Sequence, residues 1–226
     1  MTLLPGLLAV ATFWLLVKAK RVQPNQGLTL RGSWRGLPAS FKRYLVGVGL
    51  FGLGDFAHTL LILRTIQLLT PSRGAVIAGA IAIALYALHN TAYALACFVS
   101  GHLGDRWGKR RILTFGYLLS ALMCVGFLAP VTAVWYFGML FLVGGAFVGV
   151  EETLERAVAA DFLQPELRGS GFGVLATVNG LGDFASSIIV GFLWQSIHPG
   201  FGFIYAAILS VIGSLMMWRS MPEADS

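Results

Sequence analysis

The chain has 226 residues, of which 57% are hydrophobic and only 12% are charged. Soluble domains carry charge on about a quarter of their residues. This composition excludes an ordinary cytosolic domain and a disordered or collagenous chain, and it predicts a membrane protein. The net charge of +6 would suit nucleic acid only if the basic residues formed one soluble surface.

Taken in chain order, the sequence predicts an all-α polytopic membrane protein with seven transmembrane helices. A spanning helix needs about 20 apolar residues, and every run reaches that length except the first, which is shorter. Basic residues follow the first run and none precedes it, so it is predicted to be an uncleaved helix rather than a signal peptide. The apolar runs are 3–17, 44–63, 74–100, 112–130, 131–150, 170–194 and 200–218.

The predicted domains are a first helix within 1–17, a basic linker at 18–43, a six-helix part at 44–219 and a tail at 220–226. With an external N-terminus, the linker, the turns at 101–111 and 151–169, and the C-terminal end from 219 onward face the cytoplasm. Of the 16 lysines and arginines, all but Arg64 and Arg73 then lie inside. The positive-inside rule therefore predicts a bacterial-type inner membrane protein with its C-terminus in the cytoplasm, and nucleic-acid binding loses its support.

Two aspartates are predicted deep in helices, each within the repeated string GLGDF. Asp55 lies in Gly52–Phe56 and Asp183 in Gly180–Phe184. Because an ionised carboxylate near the bilayer centre costs about 2.5–3.5 kcal/mol on insertion scales, it is tolerated mainly beside a cavity or partner. Polar residues at helical spacing around both aspartates predict one cavity. The predicted substrate or proton-coupling residues are Asp55, His58, Tyr86, His89, Asn90, Tyr93, Asn179 and Asp183.

The two aspartates and His58 lead us to expect proton coupling, because carboxylates and an imidazole can exchange protons. The alternative is that the polar residues at helical spacing only form hydrogen bonds that hold neighbouring helices together. Cys97 and Cys124 show no metal-ligand spacing, and no metal or cofactor is predicted. Near the cytoplasmic end of the fifth run, the group Glu151, Glu152, Glu155 and Arg156 is interpreted as a solvated helix end, with a gate role as the alternative.

The turn after the third run reads GHLGDRWGKRR, from Gly101 to Arg111. It fits the pattern G-x-L-x-D-R-x-G-[KR]-[KR], and here the chain resembles the major facilitator superfamily of secondary transporters. The segment from Pro165 to Gly173 resembles that family's second cytoplasmic element. The resemblance implies a cytoplasmic gate formed by Gly101, Gly104, Asp105, Arg106, Gly108, Lys109 and Arg110.

The resemblance aligns 3–17 with family helix 6 and 44–219 with family helices 7–12, the C-terminal half of such a transporter. It implies secondary active transport of a small solute by alternating access, with a separate N-terminal half or a second copy as partner. The remaining alternatives are a non-transporting membrane subunit and a truncated half-transporter that needs a partner half.

Two enzyme-like or receptor-like classes are disfavoured. A retinal protein needs a lysine in its last helix, and no lysine follows Lys109. An intramembrane serine hydrolase would need Ser170 and His198 within about 3 Å of each other, whereas the topology places them on opposite sides. We therefore predict that the protein is not an enzyme.

Overall fold

The structure, a computed structural model, describes Thr12 and residues 34–219. The predicted helix at 3–17, most of the basic linker and the tail at 220–226 lie outside the described residues. From Ala39 onward the chain is a succession of α-helices with one short 3-10 turn at Pro165–Leu167. The helices are α1 (Ala39–Gly52), α2 (Thr59–Arg73), α3 (Ala75–Trp107), α4 (Lys109–Gly126), α5 (Val134–Phe162), α6 (Arg168–Ser196) and α7 (Pro199–Arg219).

The apolar run 44–63 is not one helix, as the sequence predicted, but is divided between α1 and α2. The regular helix ends in a tight turn after α1, where the N–H groups of Gly54 and Asp55 both donate to the carbonyl of Phe51, at 2.7 and 3.1 Å. Glycine favours helix least after proline, and aspartate competes for backbone hydrogen bonds, so the Gly52–Asp55 string is a natural place for a break. Asp55 therefore lies in the break and not deep in a helix.

Within the described residues, four helical segments are long and apolar enough to cross a membrane. They are α3, α5, the 3-10 turn together with α6, and α7. Two of these helices run further than their apolar stretches, because α3 continues to Trp107 and α5 to Phe162. The segments predicted as turns at 101–111 and 151–169 are therefore helical over much of their length.

The packing of α3 against α5 uses small residues spaced four positions apart on α5. A Cβ atom on Gly145 would lie 2.9 Å from the Cβ of Ala92, and one on Gly149 would lie 2.7 Å from the carbonyl oxygen of Tyr93. Two helices can approach this closely only where one of them lacks side chains. Gly145 and Gly149 therefore permit the close packing of α3 and α5.

Aromatic side chains fill the interior, while large apolar side chains cover the outside. The rings of Phe51 and Tyr117 stack with centroids 3.7 Å apart, and those of Phe127 and Phe203 stack at 5.2 Å. On α3, Phe98 is 85% exposed. A surface of this kind suits hydrocarbon rather than water, in agreement with the membrane-spanning helices.

Candidate functional site

The two GLGDF strings meet in the structure. A Cβ atom on Gly182 would lie 2.9 Å from the carbonyl carbon of Gly52, so the backbones touch at these two glycines. Beside this crossing, the N–H of Ala57 donates to Oγ of Ser187 at 3.3 Å. These contacts hold the break between α1 and α2 against the middle of α6.

A cavity of about 640 Å³ opens beside this crossing, among the break, α5 and α6. Four of the eight predicted substrate or coupling residues line it, namely Asp55, His58, Asn179 and Asp183. The chain brings them together from segments more than 100 residues apart. The cavity is also lined by Val148, Glu151, Glu152, Glu155, Arg156, Phe172, Leu175, Ala176 and Gly180.

Glu155 is buried and takes part in the polar network of the cavity. Its side chain belongs to a residue only 2% exposed, and Oε1 accepts a hydrogen bond from the hydroxyl of Tyr117 at 2.5 Å. Its Oε2 accepts a hydrogen bond from Nδ2 of Asn179 at 2.7 Å, and its backbone carbonyl accepts one from the hydroxyl of Tyr44 at 2.8 Å. The interpretation of Glu155 as a solvated helix end was wrong, because α5 continues past the apolar run and carries this side chain inward.

Tyr117, the donor to Glu155, lies in the apolar run 112–130 and was not among the predicted site residues. A detectable signal was present on α5, since Glu151 and Glu155 are four residues apart and therefore lie on one helical face. Two carboxylates on one face of a long helix point to a shared polar environment. The partner of Glu155 on α4 could not be found in this way, because the contact joins residues 38 positions apart.

The other four predicted residues lie on α3 and do not line this cavity. The ring of His89 lies 5.4 Å from that of cavity-lining His58, centroid to centroid, and stacks on the ring of Tyr86 at 5.5 Å. The side chain of Asn90 donates to the carbonyl of Tyr86 on its own helix. The hydroxyl of Tyr93 donates to Glu152 of the cavity wall at 2.5 Å. Thus His89 and Tyr93 contact cavity residues, whereas Asn90 is bonded within α3.

The signature string forms a tight turn between α3 and α4. Gly108 has a φ of 93°, a left-handed conformation that glycine adopts without steric cost. A Cβ atom on Gly104 would lie 2.8 Å from Cδ2 of Leu154, so α3 ends close against α5. Lys109 pairs with Asp161 at 2.9 Å, which ties the turn to the end of α5. Asp105 and Arg106 are exposed at this end of the bundle.

The hydrolase alternative fails on geometry. Ser170 lies in the first turn of α6, where its hydroxyl donates to the carbonyl of Leu167. His198 follows the last turn of α6, and its Nδ1 accepts a hydrogen bond from the N–H of Gly200. A helix of this length separates its two ends by about 40 Å at a rise of about 1.5 Å per residue.

A comparison with protein-family sequence models agrees with the fold and with the signature turn. The model described as Major Facilitator Superfamily matches residues 44–226. The chain belongs to the major facilitator superfamily. The predicted family and the all-α membrane fold are thereby confirmed, and the family is one of transporters rather than enzymes.

Individual relatives in the superfamily are longer proteins. The chain is 29% identical, over 89% of its length, to half of an uncharacterized MFS-type transporter of Methanocaldococcus jannaschii. It is 32% identical, over 52% of its length, to a quarter of an Arabidopsis thaliana protein named as a candidate glycerol-3-phosphate transporter. It is 30% identical, over 80% of its length, to 42% of an uncharacterized Mycobacterium bovis protein. The chain thus spans about half, or less, of the relatives it matches.

Proposed function

We propose that this chain serves secondary active transport of a small solute by alternating access, coupled to protons. The observation that carries the proposal is the cavity lined by Asp55 and Asp183. This cavity lies beside the break between α1 and α2. Interrupted helices at depth in a membrane protein are tolerated where they line a cavity, and in secondary transporters they form the substrate and ion sites.

Proton coupling would use the carboxyl groups of Asp55 and Asp183 with the imidazole of His58. All three side chains line one cavity, so a proton taken up by one group lies close to the others. Carboxyl and imidazole groups can both bind and release protons, which uptake on one side of a membrane and release on the other require. Membership of the family supports transport in general, and the cavity supports this finer assignment.

A partner that covers the open side of the cavity is part of the proposal. Asp183 is exposed in the chain taken alone, as are Glu152 and Arg156. Charged side chains inside a membrane normally face a bundle interior or a water-filled cavity, and exposure to lipid is costly. We propose that an N-terminal transporter half, or a second copy of the chain, supplies the opposite wall.

The signature turn would act as the cytoplasmic gate of this transporter. Its glycines permit the tight turn at Gly108, and the ion pair between Lys109 and Asp161 fixes its position on α5. Exposed Asp105 and Arg106 would engage the opposite wall in one of the two access states. We propose that the end of the bundle with the signature turn faces the cytoplasm and that the protein lies in a bacterial-type inner membrane.

The experiment that tests coupling replaces both aspartates with asparagine, which keeps side-chain size and removes the charge. We expect Asp55→Asn combined with Asp183→Asn to abolish solute flux that depends on a pH gradient. Flux is measured in proteoliposomes that contain the chain with its partner half, with solutes screened by uptake against an imposed gradient.

The matched control is Glu166→Gln, which removes an exposed carboxyl group outside the cavity and should leave the dependence on the pH gradient in place. Undiminished proton-driven flux in the double variant would show that the two aspartates do not couple protons. Absence of flux from wild-type chain and partner together, with all classes of solute, would contradict the transport proposal itself.

A further inference from the structure

We infer that the cavity selects an organic cation with an apolar body. The inference rests on the proposed function, since it names the class of solute that the same cavity would carry. It is supported by the excess of acidic over basic side chains in the wall, by an imidazole nitrogen without a hydrogen-bond partner and by the apolar side chains that also line the cavity.

Acidic side chains outnumber basic ones in the wall of the cavity. Five carboxylates line the cavity against a single arginine, Arg156. Within the described residues, the ion pair of the signature turn joins Lys109 to Asp161 outside the cavity, and no lysine or arginine lies within 4.0 Å of the carboxylates of Asp55, Glu151 or Asp183. Several unpaired carboxylates around one space favour a cationic ligand at that position.

Internal hydrogen bonds do not neutralise this charge. Both oxygens of Glu155 are occupied by neutral donors, the hydroxyl of Tyr117 and the amide of Asn179. Such bonds satisfy the oxygen lone pairs but supply no positive charge. The positive charge that would balance the wall must come from protons or from the solute.

An unsatisfied nitrogen in the wall is a second and independent feature. Nε2 of His58 is buried and has no hydrogen-bond partner among the described residues, although His58 lines the cavity. A buried polar atom without a hydrogen-bond partner costs free energy, so a bound ligand that supplies the partner is favoured. In the neutral imidazole this nitrogen can accept a hydrogen bond from the N–H of a protonated amine.

Apolar side chains also line the cavity and suit a ligand with an apolar body. They are Val148, Phe172, Leu175 and Ala176. An aromatic face such as that of Phe172 can also attract a cation through its ring electrons. Together, the carboxylates would bind the charge and these side chains would bury the hydrocarbon.

The same features oppose an anionic solute on this wall. The name of the Arabidopsis relative refers to glycerol 3-phosphate, a phosphate ester whose binding calls for arginine or lysine. Here the one basic side chain of the wall is outnumbered by carboxylates, and a phosphate would be repelled by them.

The test uses two probes of one shape and opposite charge, tetraphenylphosphonium and tetraphenylborate, with the purified full chain in lipid nanodiscs. We expect saturable binding of tetraphenylphosphonium and none of tetraphenylborate. Replacement of Glu151 by Gln together with Asp183 by Asn should weaken binding of the cation by at least about tenfold, because two attractive charges are lost. Glu166→Gln, an exposed carboxyl outside the cavity, is the matched control and should bind as wild type.

Asp183→Asn alone is the second variant, because this side chain is exposed, and it should still weaken cation binding. Equal affinity for the two probes, no saturable binding of either, or unchanged affinity in both cavity variants would overturn cation selectivity. If proton-driven flux of a neutral or anionic solute still required Asp55 and Asp183, the inference would fail while the proposed function would stand.

Discussion

Among single residues, Glu155 shows how a carboxylate is accommodated in the apolar interior of this chain. Its carboxylate accepts hydrogen bonds from two neutral donors, Tyr117 on α4 and Asn179 on α6. Its backbone carbonyl accepts a hydrogen bond from the hydroxyl of Tyr44 on α1. One residue of α5 therefore connects three neighbours. Its removal would leave buried donors without acceptors, which costs more than the bonds themselves contribute.

We predict that Glu155→Ala destabilises the chain by about 1–3 kcal/mol, the cost of leaving buried donors unsatisfied. The measurement is the thermal melting of the purified chain in detergent, followed by the loss of helical signal. Glu155→Gln should fall between Ala and wild type, since the amide oxygen still accepts one hydrogen bond.

A suitable comparison is Glu166→Ala, because Glu166 is exposed in the 3-10 turn and its replacement should leave the melting temperature unchanged. Equal melting of Glu155→Ala and wild type would show that the hydrogen bonds of Glu155 contribute nothing measurable to stability.

At the scale of helices, the sequence predicted those elements whose apolar residues run without interruption and missed the interruption itself. The long apolar stretches of α3, α5, α6 and α7 were enough to predict spanning helices. The run 44–63 is equally apolar, yet the Gly52–Asp55 string ends α1, because local backbone bonds outweigh hydropathy there. Likewise, Asp55 and Asp183 could be predicted to share a cavity, whereas the inward turn of Glu155 depends on contacts between distant segments.

Close packing of α3 and α5 gives a prediction at this scale. Gly149→Ala should destabilise the chain by about 1–3 kcal/mol, the usual cost of overpacking. The added Cβ atom would lie 2.7 Å from both the Cβ of Ala96 and the carbonyl of Tyr93, so the two helices would have to separate. Thermal melting in detergent measures the effect.

Gly79→Ala is the matched substitution, because it lies on α3 and a Cβ atom there would meet nothing within 4 Å. It should leave stability unchanged or raise it slightly through the better helix propensity of alanine. If both variants melted alike, close packing at Gly149 would not explain the presence of glycine there.

For the molecule as a whole, the distribution of basic residues predicts which ends of the helices face the cytoplasm, whereas the helices alone do not. Lys109, Arg110 and Arg111 begin α4 directly after the α3–α4 turn, whereas Arg73 ends α2 at the opposite end of α3. Cytoplasmic loops of membrane proteins carry an excess of lysine and arginine. The α3–α4 turn is therefore predicted inside, and the α2–α3 junction outside.

This orientation can be tested with single cysteines in a variant that lacks Cys97 and Cys124. Ser72→Cys and Arg111→Cys both place the thiol at an exposed position. A membrane-impermeant maleimide applied to intact spheroplasts should label Cys at position 72 and should reach position 111 only after permeabilisation. The reverse order of labelling would contradict the predicted orientation.

The break in the chain before α2 has a consequence for biosynthesis. α1 has 14 residues and α2 has 15, so each extends about 21–23 Å and falls short of a hydrocarbon core of about 30 Å. Neither half can enter the bilayer as a complete span, so both must leave the translocon together with Asp55 between them. The break is covered by α6, where Oγ of Ser187 accepts a hydrogen bond from the N–H of Ala57. Ser187 lies 130 residues further along the chain. The ribosome therefore synthesises α1 and α2 long before α6 exists. The two short helices can reach their final positions in the membrane only late in assembly.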